Sequence, residues 1–286
     1  MWSAIAVIAT VTATGCASPP KTALEQMSQA NALSADLLVQ FTKAGDAANR
    51  SVMADTDESS VAFAQEAQQA TQAVQKDTDA LRQTLVALQF TDEGRLLDEF
   101  GKRFGEYRAL DQNILGLAVE NTNLKAQRVS FGPGQEAADA FRTALKAIAP
   151  ASPENASRVE ALAATAVADV REIQVLQAPH IAESNDAVMT RIEKQMTTSE
   201  EDARTALETL GTLVRPASRP PLAAATAALN RFMELDGQVI ALSRRNTNVR
   251  SLALSLGQKR MLTAACEDSL RALQEALAKR GFSATR

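Results

Sequence analysis

Apolar positions recur at alternating steps of four and three through the middle of each half of the chain. From Leu110 they fall at Leu110, Ile114, Leu117, Leu124 and Phe131; from Leu235 they fall at Leu235, Val239, Leu242, Val249 and Leu256. Tyr107 and Phe232 extend each stripe one step upstream. This is the spacing by which an antiparallel helical bundle buries one seam. Polar and Pro-rich breaks divide the remainder into helices. A first helix is predicted from after Pro19-Pro20 to about Ala54, where Asp55-Thr56-Asp57-Glu58-Ser59 supplies a turn and a cap. A second runs from about Ser60 to Leu88, and a third from about Asp92 to Glu120. A fourth ends before Pro150-Ala151-Ser152-Pro153, which reads as a linker. The second half falls on the same offsets, with Pro179 ending or kinking a helix and a loop at Arg215-Pro216-Ala217-Ser218-Arg219-Pro220-Pro221. No run of alternating β-branched residues is bounded by turn signals, so strands are not expected.

The two stripes belong to one segment written twice. Residues 110–132 read LDQNILGLAVENTNLKAQRVSFG and residues 235–257 read LDGQVIALSRRNTNVRSLALSLG. Leu110 pairs with Leu235, Asp111 with Asp236, Asn121-Thr122-Asn123 with Asn246-Thr247-Asn248, and Gly132 with Gly257, all 125 positions apart (246 − 121). A repeat of that length is a small domain rather than a solenoid unit. The expected fold is therefore all-α: two tandem antiparallel four-helix bundles, the first at 17–150 and the second at 151–286, behind a signal segment at 1–16. Each half, parted near Pro150, is expected to fold as a helical unit.

The paired asparagines are the candidate site. If the helix continues, Asn121 and Asn246 place amides in a bundle core, where they fix register or meet a polar ligand; an unpartnered amide there costs about 1–3 kcal/mol. If the helix stops, they are C-terminal residues in the left-handed conformation, and Thr122/Asn123 and Thr247/Asn248 cap the next helix. The second reading accounts for all three residues of each triplet, and it predicts that Asn246→Gly is tolerated.

Composition narrows the function classes. The 286 residues are 45% hydrophobic and only 4% aromatic, and the net charge of −4 is spread over both halves. No clustered basic face exists, so a nucleic-acid partner is not expected. His180 is the single histidine and has no nucleophile motif near it. Glu200-Glu201-Asp202 reads as an acidic helix turn, and Phe131-Gly132-Pro133-Gly134 lacks the lysine of a phosphate loop and reads as a helix break. No metal or cofactor is expected, and the chain does not read as an enzyme. Cys266 aligns with Phe141 at the 125 spacing, which suggests a core position rather than a redox role.

Two resemblances carry the remaining inference. The uncharged start, with an apolar run from Ile5 to Val11 followed by Ala13-Thr14-Gly15-Cys16, resembles a bacterial lipoprotein signal. That likeness implies cleavage before Cys16, lipidation of Cys16 and, with Ala17 next, a periplasm-facing place on the outer membrane. The other reading of the same run is a truncated membrane helix or an uncleaved anchor. Separately, FMELDGQVIALSRRNTN, LALSLG and DSLRALQEAL, with YRALDQNILGLAVENTN, VSFG and FRTALKAI in the first half, are similar to the last two helices of the four-helix-bundle sensor domain of methyl-accepting chemotaxis proteins. The resemblance implies an extracytoplasmic bundle that binds a small molecule or a membrane-protein partner, and it assigns no ligand-binding residue. A non-enzymatic, lipid-anchored sensor follows as the leading expectation. The alternative is a structural envelope lipoprotein that docks through helical faces.

Overall fold

A capping box opens the first helix: the Thr22 hydroxyl accepts the Glu25 N–H, and the Glu25 carboxylate accepts the Thr22 N–H. The computed structural model describes residues 22–284, so Cys16 and the signal segment 1–16 lie outside the described residues. Helix α1 (Ala23–Val52) is followed by α2 (Asp57–Ala87), capped by Thr56, and by α3 (Thr91–Glu120). A left-handed Asn121 separates α3 from α4 (Thr122–Val129). A π turn at Ser130–Gly134 then leads into α5 (Gln135–Lys146). The second half gives α6 (Ala156–Ala182), α7 (Asp186–Leu213) and α8 (Arg219–Arg245). Beyond a left-handed Asn246 come α9 (Thr247–Leu254), a second π turn (Ser255–Lys259) and α10 (Arg260–Ala284). Helix α6 passes through Pro179 and ends three residues later. Among the described residues the only β feature is an isolated bridge between Pro150 and Val214.

These helices form two four-helix bundles joined end to end, with the fourth helices exchanged. Helix α10 packs against α3 and α1, whereas α5 packs against α8 and α6. One bundle is thus α1, α2, α3 and α10; the other is α5, α6, α7 and α8. The expectation of one bundle within 17–150 and one within 151–286 is corrected here, because neither half encloses its own core. Cys266, Leu270, Leu273 and Leu277 complete the core of Phe41, Phe100, Phe104 and Tyr107. Phe141 and Leu145 complete the core of Ala166, Val170, Ala225, Leu229 and Phe232.

Side-chain volume explains the exchange. Phe41 and Phe100 stand edge to face at 6.3 Å, and the fourth helix that meets them offers the small Cys266. Their counterparts 125 residues on are Ala166 and Ala225, and the helix that meets those offers Phe141. Returning each fourth helix to its own half would crowd Phe141 among two further phenyl rings and set Cys266 among alanines. Overpacking costs about 1–3 kcal/mol per site, and the matching void would add to it.

Helices α1 and α10 run antiparallel, since Ser255 reaches Asn49 (3.1 Å) and Gln274 reaches the Ser34 carbonyl (3.0 Å). The buried seam of α3 runs Leu97, Phe100, Phe104, Tyr107, Asp111, Ile114 and Ala118, one residue out of register from the expected Leu110 and Leu117. The sequence stripe also fails beyond the joint, where Phe131 and Leu256 are 68% and 67% exposed. Each π turn takes in one extra residue, and one residue turns a helix face by about 100°. The Phe131-Gly132-Pro133-Gly134 segment therefore redirects a continuous helix instead of ending it.

Exchange has a distinctive consequence for mutation. Phe141→Ala, made in the first half, should cost about 3–5 kcal/mol. The loss of hydrogen-exchange protection should appear in α6 and α8, and α1 to α3 should stay protected. Deprotection confined to α1 to α3 would contradict the exchanged pairing.

Candidate functional site

Two helix starts meet where the bundles join. The first N–H groups of an α-helix have no partner within it, so each start needs acceptors from elsewhere. Here each helix supplies the other. The Thr122 N–H donates to Thr247 Oγ1 and the Thr247 N–H to Thr122 Oγ1, both at 3.1 Å. The Asn123 N–H donates to Asn248 Oδ1 and the Asn248 N–H to Asn123 Oδ1, again at 3.1 Å. Sequence reasoning expected these residues to cap their own helices. They cap the opposite ones, because the exchanged helices bring the two triplets face to face.

Asn121 and Asn246 adopt φ of 49° and 54°, in the left-handed region. They are also buried, so the left-handed turn and the core amide coexist. Asn246 Oδ1 accepts from Asn123 Nδ2 (3.0 Å), and Asn246 Nδ2 donates to the Glu183 carbonyl (2.7 Å). Asn121 Oδ1 accepts from Asn248 Nδ2 (2.8 Å), and the Asn121 amide nitrogen lies by the Asp57 carboxylate without a well-formed hydrogen bond. Asn123 Nδ2 also reaches the Ile181 carbonyl (2.6 Å), which ties the joint to the end of α6. An ion pair between Arg245 and Glu120 (2.7 Å) closes the outer edge.

Beside the joint, Ser243 Oγ donates to the His180 carbonyl (2.8 Å), and the His180 ring faces Ser243 Oγ through Nδ1 (2.9 Å) and Glu193 through Nε2 (2.8 Å). Arg244 grips Glu193 at both carboxylate oxygens (2.6 and 2.8 Å). The Arg244 hydrogen bonds hold the Glu193 carboxyl below its usual range against the opposing effect of burial.

Polar groups also enter the bundle interiors. In the first bundle Lys259 Nζ approaches Asp111 Oδ1 at 2.6 Å, both side chains almost wholly buried. The two form an ion pair whose hydrogen-bond geometry is poor, and the neighbouring Tyr107 hydroxyl has no hydrogen-bond partner. Burial pushes the Asp111 carboxyl up against the pull of Lys259, and burial likewise raises the Tyr107 phenol. In the second bundle the counterpart Asp236 accepts from Gln177 Nε2 (2.7 Å), while Ser130 donates to Gln177 Oε1 (2.6 Å). Burial holds Asp236 above its usual range.

Two clefts flank the first bundle's ion pair. One, of about 530 Å³, lies between α1 and the second π turn and is lined by Lys259. The other, of about 500 Å³, lies between α2 and α3 and is lined by Asp111. Sequence reasoning missed this trio. The signal was Asp111 at a seam position between Tyr107 and Ile114, a carboxylate where an apolar residue belongs. Cys266 lies in the same core, and burial pushes its thiol up to about 12. Among the described residues no group of three or more His, Cys, Asp or Glu is placed to hold a metal ion.

A family model described as a four helix bundle sensory module for signal transduction matches residues 2–167 of this chain. The match spans α1 to α5 and enters α6, so it contains helices that the fold divides between the two bundles. No curated protein matches the chain.

Two outcomes test the joint. Gly suits the left-handed turn, but Asn246→Gly removes an acceptor and a donor from a buried network, so it should cost about 1–3 kcal/mol in urea denaturation. Asn121→Gly, which loses one bond and an amide without a well-formed one, should cost less; equal costs would show that the Asn246 bond to the Glu183 carbonyl contributes nothing. Separately, a depressed native pKa means that Glu193 adds stability above its ordinary value of 4.5 and loses it as pH falls through the lower native value. The advantage of the wild type over Arg244→Met, measured by thermal melting, should therefore shrink below about pH 4.5. A difference unchanged to pH 3 would remove the pair from the acid response.

Proposed function

We propose that this chain, which belongs to the family of four helix bundle sensory modules for signal transduction, is a non-enzymatic extracytoplasmic sensor that binds a small molecule, held to the membrane by a lipid on Cys16. The observation that supports ligand binding is the buried polar trio of Tyr107, Asp111 and Lys259 behind a cleft, in which the Tyr107 hydroxyl has no partner and Lys259 has no hydrogen bond beyond its ion pair. A bundle built only to dock against other proteins gains nothing from such groups, because each unmet buried polar atom weakens the fold.

The joint supplies a route for output. A change in the first bundle that shifts α3 or α10 acts directly on α4 and α9, whose starts are capped only by each other. No helix among the described residues is long and apolar enough to cross a membrane. In this reading the signal reaches a membrane-protein partner by contact. We further propose that the 125-residue repeat is a tandem duplication whose fourth helices became exchanged.

A structural envelope lipoprotein is the second reading, and the matched exposure of Phe131 and Leu256 favours it. Both are large apolar side chains at equivalent positions of the two halves, facing solvent.

Native mass spectrometry of the chain purified from its own source tests the sensor reading. A co-purifying small molecule, lost in Lys259→Met, is the expected result. A chain that arrives without one and whose melting is unchanged by the source's small-molecule extract would favour the structural reading. Membrane fractionation tests the anchor: Cys16→Ser should move the chain out of the membrane fraction, and continued attachment would remove the lipid from the account.

A further inference from the structure

The cleft between α1 and the second π turn is lined by Lys259, and Asp111 and Tyr107 stand beside Lys259 behind that wall. Lys259, Tyr107 and Asp111 are each at least nine-tenths buried; Tyr107 Oη has no hydrogen-bond partner, and Lys259 Nζ has no hydrogen bond beyond its ion pair with Asp111. Lys259 forms part of the cleft wall. On the opposite wall stands Gly45, and Tyr107 Oη lies 3.9 Å from where a β-carbon on Gly45 would be. Helix α1 therefore presents bare backbone in front of the phenol.

The trio specifies what would complete it. An ammonium carries three N–H donors and a phenol one, and the ion pair with Asp111 can engage at most one of these four. The missing group is an oxygen acceptor. Its charge follows from the pair: Lys259 and Asp111 neutralise each other at 2.6 Å, so an anionic head would face the Asp111 carboxylate with no spare buried cation. The rim sets Asp46 and Glu267 against Arg260, an excess of negative charge that further disfavours an anion. The body follows from the walls, where Phe41, Val52, Leu252 and Leu256 are apolar, and the volume of about 530 Å³ suits a small molecule.

We propose that this cleft takes a small uncharged amphiphile: an alcohol, ketone or amide oxygen accepts hydrogen bonds from Lys259 Nζ and Tyr107 Oη, and an aliphatic body lies against Phe41, Val52 and Leu252. The inference rests on the sensor reading and names the ligand class for it.

The test titrates four probes of one chain length (1-octanol, 2-octanone, octanoate and octane) into the purified full chain, followed by amide NMR. Octanol and octanone should shift the Gly45 and Ser255 signals saturably, and octane and octanoate should bind about tenfold more weakly or not at all. Tyr107→Phe removes only an unpartnered hydroxyl. The double variant Asp111→Leu/Lys259→Met replaces a buried pair with apolar groups of similar size, so both proteins should fold. Each should lose the preference for octanol over octane. Equal binding of octane and octanol, tighter binding of octanoate, or an unchanged preference in both variants would overturn the proposal. If all four probes fail while a molecule still co-purifies from the source, the ligand class is wrong and the sensor reading stands. If octanol binds as expected but nothing co-purifies, the site is upheld and the sensor reading falls.

Discussion

The molecule turns on two helix starts that cannot be satisfied separately. The N–H groups of Thr122, Asn123, Thr247 and Asn248 are met by the side chains of the opposite triplet. Two helix N-termini pointed at one another also bring together the positive ends of two macrodipoles, which is unfavourable without nearby negative charge. The two threonine hydroxyls, the two asparagine carbonyls and the Glu120 carboxylate beside them supply it. Because the bonds between the two triplets come in reciprocal pairs, loss of one triplet strands the other. The two bundles are thus fixed to each other by the same groups that begin their shared helices.

Beyond the joint, the identity of the packed helices decides the pairing. Lys259 sits where Gly134 sits in the first half (259 − 125 = 134), and Gln177 sits where Val52 does (177 − 125 = 52). With the fourth helices exchanged, each buried aspartate finds a partner: Asp111 meets Lys259, and Asp236 meets Gln177. Without exchange, Asp111 would face Gly134 and Val52 and stand alone, while Asp236 would have both partners. A lone buried carboxylate is a large penalty. Charge and volume therefore select the same arrangement, with Phe141 and Cys266 acting in the same direction as the ion pair.

The helices and their breaks were legible because they depend on local chemistry. Period, caps and prolines lie within a few residues of the elements they define, and the repeat placed Asn121 and Asn246 at equivalent turns. Exchange was not legible in that way. A fourth helix that is apolar on one face fits either bundle by period alone. What discriminates is which of Phe141 and Cys266 meets Phe41 and Phe100, and that is a relation between residues far apart in sequence. The π turns were missed for a related reason. Pro133 among glycines reads as a stop, and only tertiary packing of the flanking helices keeps the segment helical. Asp111 and Lys259 are hidden from the pattern because Leu110 and Leu117 complete an apolar stripe with Tyr107 and Ile114, whereas Asp111 and Ala118 hold the buried positions beside them.

The antiparallel run of α1 and α10 governs how the molecule stands. Ser255 meets Asn49 near the joint and Gln274 meets Ser34 farther along, so the start of α1 and the end of α10 emerge together at the face of the first bundle remote from the second. The second bundle is then an insertion carried between α3 and α10, with no chain end of its own. Anything attached at either end of the described chain bears on the first bundle alone. A pull or twist there passes to the outer lobe only through two helices in parallel, each bent at a left-handed asparagine. The first bundle is in effect a stalk and the second its head, with a paired hinge between them.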